Sequence, residues 1–193
     1  MLENYPKEII LKDGAGVTLR PLQPGDEDPL FRMYNRLPEE DRWFLDADVS
    51  RIETIRKWVK ETAGKGLVSI VGALEGEIIA HAFLVWRDYG AKRHIGKIRI
   101  AVDPSFRERH LGTWILLDLH NLAISLGLEI LVMRLVEEKD AYVIRGVKRL
   151  DFRQEAVLKN YVKDKEGNSH HLLLMVKRLK GGWDKIIHPA PPA

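Results

Sequence analysis

The segment that most constrains this chain is a strand, a short polar loop and a long helix in direct succession between Ile98 and Leu126. Ile98, Ile100 and Val102 alternate with Lys97, Arg99 and Ala101, the period of a strand. The strand ends at Val102-Asp103-Pro104, and Ser105-Phe106-Arg107-Glu108-Arg109-His110 forms a polar loop. Leu111, Ile115, Leu119, Leu122 and Leu126 then recur as one helical stripe, closed by Gly127 as a natural C-cap. A helix that starts in this way exposes unpaired backbone N–H groups and the positive end of its dipole, which together suit a phosphate. Gly112 lets an anion approach the backbone without meeting a Cβ, and Arg107 and Arg109 can add charge-assisted hydrogen bonds. Spacing alone leaves a second reading open, a plain strand-to-helix turn with two solvated arginines.

The flanking sequence predicts an α+β fold. Val17–Leu22 reads as a strand. Leu30, Met33, Tyr34 and Leu37, then Ile52, Ile55 and Val59, give two short helices, the second ending near Gly64. Leu67–Leu74 and Ile78–Trp86 flank Glu75-Gly76 as a hairpin. Glu129–Val136 is a fifth strand, and Val143, Ile144, Val147 and Leu150 mark a last helix. Two strands follow, about Glu155–Lys163 and His170–Leu179. Hairpins mixed with one or two crossovers predict a mixed sheet of about seven strands flanked by helices, not a doubly wound one. Residues 1–16 read as an N-terminal extension, 17–179 as the domain and 180–193 as a flexible tail.

Composition removes several classes of function. The chain of 193 residues has no cysteine, which excludes a thiol nucleophile and Cys-ligated metals. Its net charge of +3 is scattered, so no nucleic-acid stripe is evident. No apolar run approaches membrane-spanning length, and Met1–Pro6 lacks a signal-peptide pattern. A cytoplasmic protein that binds no membrane is the expectation. His170-His171 point to opposite faces of a strand, and no H-E-x-x-H motif exists, so no metal is expected. Ser105 and Ser125 lack a nucleophile elbow, and Gly14-Ala15-Gly16 precedes a strand rather than joining strand to helix. Trp58 and Trp114 read as packing residues.

Val102-Asp103-Pro104-Ser105-Phe106-Arg107-Glu108-Arg109-His110-Leu111-Gly112 resembles the acetyl-CoA motif of the GCN5-related N-acetyltransferases, V-x-P-x-x-[RQ]-x-x-G-x-[GA]. Leu150-Asp151-Phe152 resembles that family's Leu-Gly-Phe signature, and Arg36–Phe44 its acceptor-side helical segment. The resemblance implies a mostly antiparallel sheet splayed between its fourth and fifth strands. It implies acetyl-CoA as co-substrate, held by Ala101, Val102, Arg107, Arg109, His110, Leu111, Gly112 and Thr113. It further implies direct acetyl transfer to the primary amine of a small molecule or peptide. A homodimer is common in such families. A degenerate acyl-CoA-binding regulatory or interaction module is the alternative.

Three departures from the family pattern stand out. His110 replaces the first motif glycine. Val147 stands where many members carry a tyrosine as general acid, and Tyr142, half a helical turn away, reads as a packing residue. Lys97 and Arg99 occupy the strand face on which relatives often place a glutamate, so no catalytic base is assigned. Glu137, Glu138, Asp140, Glu39, Glu40 and Asp41 are the acids near the expected cleft, each read as a solvated surface charge. The two cations pair with acids or meet an acidic group on the acceptor or coenzyme.

Overall fold

Glu75 and Gly76 both take positive φ, 51° and 83°, the geometry of a tight two-residue hairpin turn. They join β3 (Leu67–Leu74) to β4 (Glu77–Val85) in the computed structural model, which describes residues 2–61 and 66–179. The other strands are β1 (Lys7–Ile10), β2 (Gly16–Pro21), β5 (Ile95–Val102), β6 (Ile130–Val136), β7 (Arg153–Lys163) and β8 (Ser169–Arg178). They form one 8-stranded sheet in the order β1-β2-β3-β4-β5-β6-β8-β7. All neighbours are antiparallel except β5 and β6.

Among the described residues there are five α-helices: α1 (Glu27–Arg36), α2 (Glu39–Trp43), α3 (Ile52–Glu61), α4 (Leu111–Ser125) and α5 (Ala141–Arg149). Leu111, Ile115, Leu119 and Leu122 of α4, with Ile144 and Val147 of α5, pack on Ile70, Ala82, Leu84, Ile98, Leu131 and Met133. Leu30, Met33 and Tyr34 of α1, with Ile55 and Val59 of α3, pack on Val71 and Ile78 of the opposite face. This is the mixed α+β architecture expected.

One strand more than expected comes from the N-terminal extension. Lys7–Ile10 pairs antiparallel with β2, and Tyr5 and Lys7 both bond the buried Asp118 of α4, Lys7 Nζ at 2.6 Å. Four residues with one exposed isoleucine carry too little periodicity to announce a strand. The predicted helix end near Gly64 and the tail 180–193 lie outside the described residues.

Candidate active site

β5 and β6 run together for only three residue pairs, Ile95↔Ile130, Gly96↔Leu131 and Lys97↔Val132. Beyond them β5 stays bonded to β4 as far as Val102, and β6 stays bonded to β8 as far as Val136. The strands therefore part, and the β6-facing edge of β5 beyond Lys97 has no strand partner. At the closed end, a Cβ on Gly96 would lie 2.7 Å from Leu84 Cδ1 and 2.9 Å from Leu128 Cδ1, so the strands meet there over leucines with no room to spare. This is the splay that the resemblance implies between the fourth and fifth predicted strands.

The loop after β5 is fixed by Asp103, a residue that sequence reasoning passed over. Its side chain is buried, with Oδ2 accepting from Arg36 Nε at 2.5 Å and Oδ1 from Ser105 N–H at 2.9 Å. Arg36 also donates to the Ile78 carbonyl, so α1 holds the end of the β4–β5 pair. A single 3-10 turn, Pro104–Phe106, follows, and α4 then begins after His110. His110 sits at φ 68°, in the left-handed region where the family pattern has glycine. The first helical bond is Trp114 N–H to His110 O at 3.0 Å. Among the described residues, the amides of Leu111, Gly112 and Thr113 carry no hydrogen bond, and His110 provides no side-chain cap. A Cβ on Gly112 would meet only Val102 Cγ2, at 3.9 Å, so nothing inside the protein requires a glycine there. Three free amides beside an unpartnered strand edge and a needlessly small residue fit a phosphate-bearing ligand lying over the turn.

Both candidate arginines are engaged by acids. Arg107 donates to Asp41 Oδ2 at 2.6 Å and to the Val102 carbonyl at 3.3 Å. Arg109 pairs with Asp13 at 2.5 Å and lies over the Phe106 ring. Ala101 and Val102 are half-buried and pair with His81 and Ala80 of β4.

The acids near the cleft are not alike, which corrects their uniform reading as solvated charges. Asp41 of α2 bonds Lys139, just past β6, as well as Arg107, and thus spans the two sides of the splay. Burial pushes its carboxyl up, but the hydrogen bonds from Lys139 and Arg107 outweigh this and hold it below its ordinary range. Asp140 accepts from Val136 N–H at 2.7 Å, and burial raises its carboxyl above the ordinary range. Glu39 pairs with Lys165 at 2.5 Å, and Glu40, Glu137 and Glu138 are at the surface, as read. Arg99 and Arg134 both bond Asp46 Oδ2, at 3.0 and 2.7 Å.

Trp114 and Tyr142 lie elsewhere than expected, whereas Trp58 is the packing residue that was expected. Trp58 packs in edge contact with Tyr34 and Phe83. Trp114 is 44% exposed and Tyr142 is 56% exposed, so neither is a packing residue. Both sit on helix faces that turn away from the sheet. Val147 is buried in the core beneath α5, so that helix offers no hydroxyl at this position. His81 lies buried with Nδ1 2.8 Å from the Tyr34 hydroxyl and Nε2 2.6 Å from Ser69 Oγ. Burial pushes its imidazole down to about 3, so it is a neutral structural link. Among the described residues, no group of three or more His, Asp or Glu is placed to hold a metal, and no helix is long and apolar enough to cross a membrane.

Comparison with known proteins decides the family. The profile described as Acetyltransferase (GNAT) family matches residues 29–152, well over half of the chain. The chain belongs to the GNAT acetyltransferase family. No curated protein sequence matches it. Solved structures that resemble this GNAT domain include an acetyltransferase of the family from Streptococcus pneumoniae, 19% identical, with a TM-score of 0.73 over 84% of this chain and 99% of that one. An N-acetyltransferase from Staphylococcus aureus Mu50 is 18% identical, with a TM-score of 0.74 over 85% and 99%. The protein yncA of Salmonella typhimurium, solved with its cofactor acetyl-CoA, is 20% identical, with a TM-score of 0.72 over 92% and 98%. At these identities the likeness shows the fold. The family profile begins inside α1 and ends at Phe152, so it spans the splay, the Val102–Gly112 loop and the Leu150-Asp151-Phe152 signature together.

Proposed function

We propose that the protein is an acetyl-CoA-dependent N-acetyltransferase acting on the primary amine of a small molecule or peptide. The observation that carries this is the conjunction at α4. The strand pair opens beside Ala101 and Val102, and a turn with three unbonded amides stands at its outer end. Leu111, Gly112 and Thr113 would hold the diphosphate by their N–H groups, with His110 shaping the turn. Arg107 and Arg109 would add charge by exchanging Asp41 and Asp13 for phosphate oxygens. The open edge of β5 would pair with the amides of the pantetheine arm. Acetyl-CoA supplies the acyl group as an activated thioester. The acceptor nitrogen, once deprotonated, forms a C–N bond to the acetyl carbon as the C–S bond breaks, and the thiolate takes the remaining ammonium-derived proton. Asp140, which stands before α5, accepts the Val136 N–H and has its carboxyl raised by burial, is the acid of this region that would accept the first proton.

A non-catalytic coenzyme-binding module is the second reading, favoured by the buried Val147 in place of a hydroxyl. Thiol release separates the two. Acetyl-CoA is incubated with protein and a broad amine panel, and free CoA is measured. Coenzyme-induced thermal stabilisation with no release for any amine would establish the module. Absence of stabilisation by acetyl-CoA and CoA alike would remove both readings.

A further inference from the structure

On one face of the sheet, the first side chains past the point where β5 and β6 part are two arginines. The last strand pair is Lys97↔Val132. The next residues on the same face of each strand are Arg99 and Arg134, two positions further along. This is the face opposite α4, because Ile98 and Met133 turn toward α4. Like charges set opposite each other across strands are unfavourable unless an anion lies between them. Here one oxygen does so: Asp46 Oδ2 lies 3.0 Å from Arg99 and 2.7 Å from Arg134. Asp46 comes from the loop between α2 and α3, and its side chain is 66% exposed, whereas that of Arg99 is only 23% exposed. Among the described residues, two guanidiniums, one of them largely desolvated, thus share a single ion-paired carboxylate on an exposed loop, which leaves a positive charge unmatched. Lys97 adds a third, exposed cation on the same strand face. A guanidinium pair of this kind is a fork for a planar carboxylate.

We propose that Arg99 and Arg134 bind the carboxylate of the acetyl acceptor, with Asp46 occupying that place until substrate enters. The acceptor is then an amine of amino-acid type, bearing a carboxylate a few bonds from the nitrogen that is acetylated. This rests on the transferase reading above. The amine keeps its carboxylate throughout: one C–N bond forms, one C–S bond breaks, and CoA leaves as its thiol.

The test is thiol release from acetyl-CoA with the free amino acids, their carboxamides and simple alkylamines. Wild type, Arg99→Gln, Arg134→Gln and Asp46→Asn are compared, each first checked for folding by its melting transition. Carboxylated amines are expected to be turned over, and their amides to be used at least about tenfold less well, the loss of a charged hydrogen bond. Each arginine variant is expected to raise KM for the acid about tenfold or more with the KM for acetyl-CoA unchanged. Asp46→Asn is expected to lower KM for the acid, because it removes the competing carboxylate. A purely structural bridge predicts the reverse, with Asp46→Asn impaired like the arginine variants, and that result overturns the proposal. So does equal use of acids and amides, or turnover of alkylamines alone, either of which leaves the transferase standing. Coenzyme-induced stabilisation without thiol release for any amine removes both.

Discussion

Gly112→Glu pushes stability and coenzyme binding in opposite directions. In the free protein the new Cβ meets only Val102 Cγ2, and the residue is not in the left-handed region. Glutamate is a better helix former than glycine by up to about 1 kcal/mol, and a carboxylate in the first turn adds about 0.3–1 kcal/mol against the dipole. The variant should therefore match or exceed wild type by about 1 kcal/mol, raising Tm by about 2–4 °C for a domain of this size. With ligand the sign reverses. Acetyl-CoA at one hundred times its Kd stabilises wild type by about 2.7 kcal/mol, or about 5–10 °C. The glutamate sits among the free amides of Leu111, Gly112 and Thr113, filling the space and repelling a diphosphate. The coenzyme shift should fall to about 1–2 °C or less, because a loss of 100-fold in affinity leaves only about 0.4 kcal/mol of it. Differential scanning fluorimetry with and without acetyl-CoA reads both effects. A variant that retained the full coenzyme shift would refute the assignment of this turn. A variant melting well below wild type without ligand would refute the account of its surroundings.

Four other perturbations test separate parts of the structure. Gly66→Ala should destabilise by at least about 2 kcal/mol in urea denaturation, because φ is +84° and the new Cβ would lie 2.6 Å from the Trp86 carbonyl oxygen. Asp118→Ala strips Tyr5 and Lys7 of their common partner, and should cost about 2–3 kcal/mol and speed amide exchange in β1. Asp140→Asn should lower kcat with little change in the KM for acetyl-CoA and should remove the acidic limb of the kcat profile; a profile identical to wild type would strip Asp140 of any proton-accepting role. His170 lies 3.0 Å from Asp164 and 3.3 Å from Glu138, and bonding to Asp164 first, then Glu138, raises its imidazole above 6.5. Its folded value exceeds its unfolded one, so this contribution is full below pH 6.5 and is lost as pH rises through the higher folded value. The pH dependence of Tm should flatten there in His170→Gln.

The fold was legible where side-chain period and turn chemistry agreed. Alternation in Ile98–Val102, the α4 stripe and the Glu75-Gly76 turn each point to one conformation, and the structure has all three. β1 escaped because an edge strand of four residues is held by its partner β2 and by Asp118 of α4, contacts invisible in a local window. Trp114 and Tyr142 were misread for a related reason. A large aromatic ring favours burial on average, but helix phase decides each case, and both project from the outer faces of their helices.

The candidate site divides along the same line. Its proposed coenzyme half is a continuous stretch, the kind of feature that motif spacing can address, and even the departure at His110 has a local reading: a non-glycine residue held at φ 68° keeps the turn that the glycine of the pattern would make. Its proposed acceptor half is assembled from three separate segments. Arg99 comes from β5, Arg134 from β6 and Asp46 from the α2–α3 loop. Sequence showed Arg99 as a cation in want of a counter-charge, but neither the second arginine nor the acid lay at any spacing that would pair them. Only the parting of β5 from β6 does so, because the register that ends at Lys97↔Val132 sets Arg99 and Arg134 side by side with no strand bond between them. The same parting opens the edge of β5 along Ala101 and Val102 and gathers the two arginines on the opposite face from α4. One interruption of the sheet thus underlies both halves of the proposed site.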